Sequence, residues 1–185
     1  MLTKDEALSL VEKYVSRRNS LYHMIAVEAI MECVAIFLGE DDKLWGLTGL
    51  LHDIDYDMTE GCPEKHALCS EEILKDFDVP VEVVRAIKAH NFFYSHVEPV
   101  SNMDKALIAC DAVSGLLVAC ALVMPSKKLA EVRVDSVVKK FGDKSFARGV
   151  ERERVLFCEK IGISRKVFFK VALDGLKSVS SEIGL

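Results

Sequence analysis

The sequence predicts an all-α protein, and three observations lead to that prediction. Apolar residues recur at helical spacing through most of the 185 residues, and capping residues and helix breakers punctuate the pattern. Convincing strand alternation is absent apart from one ambiguous run, Val132–Val138. Because a chain of this length can bury a substantial core on its own, we expect a single domain over residues 1–185.

The first half of the chain predicts five helices. Thr3 and Glu6 form a capping-box pattern ahead of an apolar stripe, which predicts a first helix that ends near Arg18. Ser20 can cap a second helix, which Gly39 ends. The next three helices are expected over Asp41–His52, over Glu64–Phe77 and from Pro80 to about Asn91.

A long sixth helix is expected over Asn102–Met124, with Pro125 after it. Its segment Ala106–Met124 is apolar enough to be tested as a membrane span, but Asp111 would cost about 2.5–3.5 kcal/mol at the centre of a bilayer. We therefore expect a buried core helix there. Three further helices are expected over Val134–Phe141, Ser145–Ile161 and Ser164–Ile183.

Composition and charge point to an ordinary cytoplasmic protein. The net charge of -5 disfavours binding to duplex nucleic acid, which depends on basic side chains that neutralise phosphates. The six cysteines form no CxxC pair and are expected to be reduced thiols. The N-terminal residues show no apolar stretch of the kind found in a signal peptide, and no membrane association is expected.

The pair His52-Asp53 closes the apolar segment Leu47–Leu51. Consecutive side chains on a helix diverge by about 100°, so both can reach one metal ion only where the helix stops. Such a stop is indicated by the residues that follow, Asp55, Tyr56, Asp57 and Gly61.

Two further residues fit a metal site. His23 lies on the apolar stripe of the second helix and is expected to face inward. Asp111 is the only charged residue between Lys105 and Lys127, and a buried carboxylate is costly without a compensating cation or donor. A metal ion is an economical partner, and a salt bridge to a distant lysine or arginine is the alternative.

The order His23, His52-Asp53, Asp111 resembles the H…HD…D pattern of the HD superfamily of metal-dependent phosphohydrolases. Leu50–Ile54 is similar to the LLHDI segment of the HDIG branch, although Asp55 replaces the glycine expected next. The resemblance covers about residues 20–125. It implies a helical core in which these four residues bind one metal, followed by a helical extension over about 126–185.

Resemblance to dinuclear members of the superfamily implies a second metal ion. His66 and His90 would bind that ion, with Asp53 bridging the two metals. Imidazole and carboxylate ligands suit iron, manganese, zinc or cobalt, and the spacing does not choose among them. His96 matches no ligand position and is expected to have a surface or supporting role.

A two-metal centre of this kind predicts hydrolysis of a small phosphorylated metabolite or nucleotide. In the loop after the HD pair, Asp57 is the expected proton donor for the leaving group. Lys127 and Lys128 follow the helix that carries Asp111, and we expect them to bind the substrate phosphate.

Two other functions stay open. Some dinuclear HD proteins are diiron oxygenases with the same ligand plan, but they pair the site with lysines, whereas Tyr56, Tyr94 and Gly115 hold candidate nearby positions here. A binding or regulatory module is the third possibility, although none of the six ligands is missing. The apolar face of residues 134–185 allows a homodimer but is more typical of packing against the core.

Overall fold

The structure, a computed structural model, describes residues 1–185 and contains helices and no strands, which confirms the predicted fold class. In chain order the helices are α1 (Lys4–Tyr14), α2 (Arg18–Leu38), α3 (Asp42–Leu51), α4 (Tyr56–Thr59), α5 (Leu68–Leu74), α6 (Val81–His90), α7 (Phe92–Ser95), α8 (Asn102–Leu122), α9 (Val134–Gly142), α10 (Arg152–Val155) and α11 (Arg165–Ser178). Two short 3-10 helices cover Leu129–Glu131 and Leu156–Ile161.

The 21-residue helices α2 and α8 form the centre of the fold. Helix α2 packs against α3, α8 and α11, and helix α8 also packs against α6, α9 and α10. By length and composition either helix could cross a membrane, but more than half of each apolar stretch is buried against other helices. Core helices of soluble proteins show the same pattern, so neither helix is by itself good evidence of a membrane span.

Local capping sets several helix boundaries. Thr3 and Glu6 form the predicted capping box of α1, and Gly39 ends α2 in the left-handed conformation with φ 74°. Helix α8 also starts in a capping box, formed by Ser101 and Asp104, which the sequence pattern did not single out. Each cap satisfies backbone N–H or C=O groups that the helix itself leaves free.

Two predicted helices differ most from the structure, while the first and the last also end early, at Tyr14 and Ser178. The fourth covers only Leu68–Leu74, because the residues before it form turns in which Ala67 adopts a positive φ of 70°. The predicted helix over Ser145–Ile161 is replaced by a loop followed by α10 and a 3-10 turn. The guanidinium of Arg152 bonds the carbonyl of Phe141 at the end of α9 and four carbonyls of the loop, those of Asp143, Phe146, Ala147 and Val150, so that the loop is held by a side chain and not by a helical ladder.

Two glycines allow other helices to approach α2 closely. A Cβ atom at Gly49 of α3 would lie 2.9 Å from the backbone of Glu28, and one at Gly175 of α11 would lie 2.6 Å from the carbonyl oxygen of Ala29. Side chains do not tolerate such distances to backbone atoms, so both contacts require glycine. Through Gly175 the C-terminal helix belongs to the same core as α2.

We expect Gly175→Ala to lower the free energy of unfolding by about 1–3 kcal/mol, because α11 must move away from α2. Gly142→Ala is the matched control, since a Cβ atom there meets open space at the end of α9. Urea unfolding of both variants tests this, and equal midpoints would contradict the close helix contact.

Asp57, the predicted proton donor, fixes the connection between α1 and α2. Its Oδ2 accepts hydrogen bonds from the backbone N–H of Ser16 at 2.8 Å and from the Ser16 hydroxyl at 2.9 Å, while its Oδ1 pairs with Nε of Arg17 at 2.9 Å. Burial acts to raise the pKa of Asp57, but these bonds outweigh it and hold the pKa below its ordinary value. An ionised, fully bonded carboxylate has no proton to give at neutral pH. The prediction for Asp57 is therefore corrected to a structural role.

We expect Asp57→Asn to lower the free energy of unfolding at pH 7 by about 1–2 kcal/mol, because charge-assisted bonds are lost. The folded-state pKa is depressed, so this stabilisation is present above the unfolded pKa and disappears as the pH falls through the folded value. The difference between wild type and variant should therefore shrink below about pH 4. Glu60→Gln, which removes a largely exposed partner of Arg17, should have little effect at either pH in the same urea titrations.

Candidate metal centre

A mostly polar pocket of about 530 Å³ opens beside α2, α6, α8 and the segment before α10. Five of the six predicted metal ligands line it, and they are His23, Asp53, His66, His90 and Asp111. The sixth, His52, is fully buried beneath them. The structure thus brings together all six residues from positions as far apart as 23 and 111.

Asp53 lies at the centre of four imidazole rings. Its Oδ1 is 3.3 Å from Nε2 of His52, 3.3 Å from Nε2 of His66 and 3.6 Å from Nε2 of His90. Its Oδ2 is 3.6 Å from Nε2 of His23. Every histidine of the cluster therefore presents the same ring nitrogen to one carboxylate.

The helix end after α3 produces this arrangement. His52 directly follows the last residue of α3, and Asp53 lies in the turn that leads away from it. The two side chains can face one point because the chain has left the helix, as expected from the adjacency. His90 ends α6, whereas His66 lies in the turns before α5 and not at a helix start.

Hydrogen bonds fix the buried rings from behind. Nδ1 of His52 lies 2.8 Å from the carbonyl oxygen of Gly49, and Nδ1 of His90 bonds the carbonyl oxygen of Ile87. A carbonyl oxygen only accepts, so Nδ1 must carry the proton in both rings. Nε2 then offers a lone pair toward Asp53, as metal-binding histidines do.

His66 and His23 are held by side chains. Nδ1 of His66 is 2.8 Å from Oδ1 of Asp55, a fully buried carboxylate whose Oδ2 accepts the backbone N–H of Ser70. Nδ1 of His23 is 3.2 Å from the hydroxyl of Ser114. Asp55, the residue found in place of the HDIG glycine, therefore orients a proposed ligand.

The cluster fits divalent cations. Nε2 of His52 is buried without a hydrogen-bond partner, and Nε2 of His66 lies 3.1 Å from Nε2 of His90, where two lone pairs repel unless a proton or a cation lies between them. Ligand atoms within 4.8 Å of one another form two groups that share Asp53, namely His23, His52 and Asp53, and Asp53, His66 and His90. Imidazole and carboxylate together suit first-row divalent metals.

The protonation equilibria of the cluster are strongly perturbed. Burial lowers the pKa of His52 to about 4, which keeps its ring neutral. Burial would also lower the pKa of His66, but hydrogen bonds with Asp53 and Asp55 raise it to about 10. Burial acts to raise the pKa of Asp53, but the surrounding histidines hold it well below its ordinary value.

Asp111 has two different partners. Its Oδ1 is 3.3 Å from Nε2 of His23, and its Oδ2 is 3.0 Å from Nη2 of Arg154. The salt bridge that the sequence left open as an alternative is thus present on one oxygen, while the other faces the histidine cluster. Arg154 could not be identified from the sequence, because the alternating charges of residues 151–154 are typical of a solvated helix face.

The predicted phosphate-binding lysines lie elsewhere. Asp111 is eleven residues before the end of α8, so Lys127 and Lys128 lie beyond a helix end about 16 Å along the axis from it. Neither lysine lines the pocket, and Arg154 is the only lysine or arginine that does. This corrects the prediction for both lysines.

The other residues that the sequence analysis named lie partly in the pocket and partly outside it. Tyr56 and Gly115 line the pocket, whereas Asp57 and Tyr94 do not. His96 is exposed and adopts a positive φ of 57° outside the cluster.

Curated relatives support the assignment of the core. Ribonuclease Y of Aliarcobacter butzleri (strain RM4018) is 35% identical over 97 residues, which is 52% of this chain and 18% of the relative. Ribonuclease Y of Desulfotalea psychrophila is 34% identical over 98 residues, 53% of this chain and 18% of the relative. Ribonuclease Y of Sulfurovum sp. (strain NBC37-1) is 27% identical over 143 residues, 76% of this chain and 28% of the relative.

The chain thus spans well under a third of the length of these relatives. No solved structure matches it. A family model, described as HD domain, matches residues 20–116, which is more than half of the chain and includes all six residues of the cluster. The chain therefore belongs to the HD domain family of metal-dependent phosphohydrolases.

Proposed function

We propose that the chain hydrolyses the phosphate ester of a small metabolite or nucleotide in the pocket above Asp53. The observation that supports this most directly is the convergence of four imidazole Nε2 atoms on one carboxylate at the floor of a pocket of about 530 Å³. A pocket of this volume is in the range of sites that enclose small ligands.

In this proposal one divalent cation binds to His23, His52, Asp53 and Asp111, and a second to Asp53, His66 and His90. Iron, manganese, zinc and cobalt are the candidates. When bound, such cations neutralise phosphate charge and lower the pKa of water. Membership of the HDIG branch stays a prediction.

The residues of the chain have separate tasks in this reaction. Asp53 holds both cations in place, and Asp55 keeps the ring of His66 in the required orientation. In hydrolysis the oxygen of a water molecule bonds to phosphorus while the bond between phosphorus and the leaving oxygen breaks, and the leaving oxygen must take up a proton. Among the lining residues outside the ligand set, Tyr56 and Glu151 have side chains that can carry that proton, so they replace Asp57 as candidate donors.

RNA is the second candidate substrate, because the matching relatives are named ribonuclease Y. A bound RNA strand requires a track of basic side chains along its backbone. Here a single arginine lines the pocket together with several acids, and the net charge of the chain is -5. We therefore favour a small phosphorylated substrate over RNA.

The other two hypotheses have less support. The lysines expected of an oxygenase are not found in the pocket, where Tyr56 and Gly115 occupy candidate positions. A purely regulatory module has no need of six fixed ligands.

All six cysteines are free, which supports the proposed cytoplasmic location.

We expect Asp53→Ala to abolish binding of both metal ions and His66→Ala to remove chiefly one, because only Asp53 belongs to both ligand groups. Metal content after purification without chelator, measured by inductively coupled plasma mass spectrometry, tests this. His96→Ala is the matched control and should keep the wild-type content. Equal losses in the Asp53 and His66 variants would contradict separate sites.

We expect the metal-loaded protein to hydrolyse p-nitrophenyl phosphate or a panel of nucleotides at equal rates under air and under nitrogen. Turnover that requires oxygen would instead establish the oxygenase. Cleavage of a short RNA with no activity on small esters would establish the RNA substrate.

A further inference from the structure

We propose that Arg154 binds the phosphate group of the substrate, so that a segment beyond the matched HD region completes the pocket. This inference rests on the proposed function and deepens it. It replaces the two predicted lysines with one residue whose position the structure gives.

The guanidinium of Arg154 is anchored at one corner only. Nη2 donates to the carbonyl oxygen of His90 at 3.0 Å and to Oδ2 of Asp111 at 3.0 Å, while Nε and Nη1 make no hydrogen bond within the chain. The side chain is 20% exposed and lines the pocket. Three N–H groups of a rigid planar fork are therefore free beside the cluster of histidines and aspartates.

The unbonded nitrogens of the guanidinium favour anion binding over simple charge neutralisation. An arginine that served only to neutralise Asp111 would be expected to form a bidentate pair with it. Here a single nitrogen contacts Asp111, and Nε and Nη1 stay available to phosphate oxygens. The other charged side chains of the lining, apart from the histidines, are acids, so Arg154 is the only lysine or arginine that can meet a phosphate there.

The segment that carries Arg154 is held firmly as a wall of the pocket. Arg152 bonds four backbone carbonyls of the preceding loop and one at the end of α9, and the neighbouring residues Gly149, Val150 and Glu151 line the pocket. The wall also contacts α8, because a Cβ atom at Gly115 of α8 would lie 3.5 Å from a methyl group of Val150. The wall therefore sits close against α8, next to Asp111.

Titration of the manganese-loaded protein with inorganic phosphate by isothermal calorimetry tests the proposal. We expect Arg154→Gln to weaken phosphate binding about 10- to 100-fold, as for a lost charge-assisted hydrogen bond, and Arg154→Lys to weaken it less. Arg148→Gln is the matched control, because Arg148 is an exposed residue of the same loop that does not line the pocket.

Manganese content and thermal melting are measured on each variant, and Arg154→Lys serves if the glutamine variant does not fold. Kinetics with p-nitrophenyl phosphate should show a raised KM with metal content preserved. Unchanged phosphate affinity in Arg154→Gln, or a loss of manganese as large as the loss of phosphate, would overturn the proposal, since Arg154 would then only hold Asp111. A third outcome separates the two proposals. If phosphate affinity falls in Arg154→Gln but the wild-type protein hydrolyses no ester, the proposed function alone is refuted.

Discussion

The contact between Asp53 and four imidazole rings is the constraint on which the rest of the structure depends. Rings packed at centroid distances of 5.0 to 5.3 Å, with their Nε2 atoms directed at one carboxylate, are costly to bury unless hydrogen bonds or cations compensate their polar atoms. The fold compensates by fixing each ring through its other nitrogen, with backbone carbonyls behind His52 and His90 and with Asp55 and Ser114 behind the other two. A bound cation would convert this crowding of donors into coordination.

Close helix packing brings the rings to that point. Gly49 lets α3 approach the backbone of α2 near Glu28, and the end of α3 then places His52 beside His23 with ring centroids 5.1 Å apart. On the other side of the cluster, α6 packs between α3 and α8 and delivers His90 from its last turn. A metal centre assembled from separate helices is therefore only as well ordered as the contacts between those helices.

Resemblance to the HD superfamily implied the set of candidate ligands, but nothing in the sequence indicated the wall of the pocket. Helical periodicity indicated that His23 faces inward and that Asp111 lies in an apolar helix, and the polar residues after His52-Asp53 indicated the helix stop. His66 and His90 joined the set only through the resemblance. The loop before α10 has no such regularity, because the Arg152 side chain bonds four of its carbonyls and only isolated turns, at Asp143 and Ala147, are closed by backbone N–H groups. Lys127 and Lys128 were preferred over Arg154 because they are closer to Asp111 along the sequence. The irregular loop then brings residue 154 back to residue 111, which sequence distance does not indicate.

The cluster of six candidate ligands and the pocket wall of residues 149–154 have different consequences for which substrate can bind. The family match ends at residue 116, so it includes the six clustered residues but neither Arg154 nor the loop that Arg152 holds. Divalent cations bound to the cluster would interact with any phosphate oxygen, whether it belongs to a nucleic acid strand or to a small ester. Discrimination between a nucleic acid strand and a small ester must then come from the space and charge around the cluster. On one side of this pocket both are set by residues 149–154. Because α11 attaches the C-terminal part of the chain to α2 through Gly175, that wall is built on the same core as the candidate metal ligands, which is what the proposed binding of a small substrate over Asp53 requires.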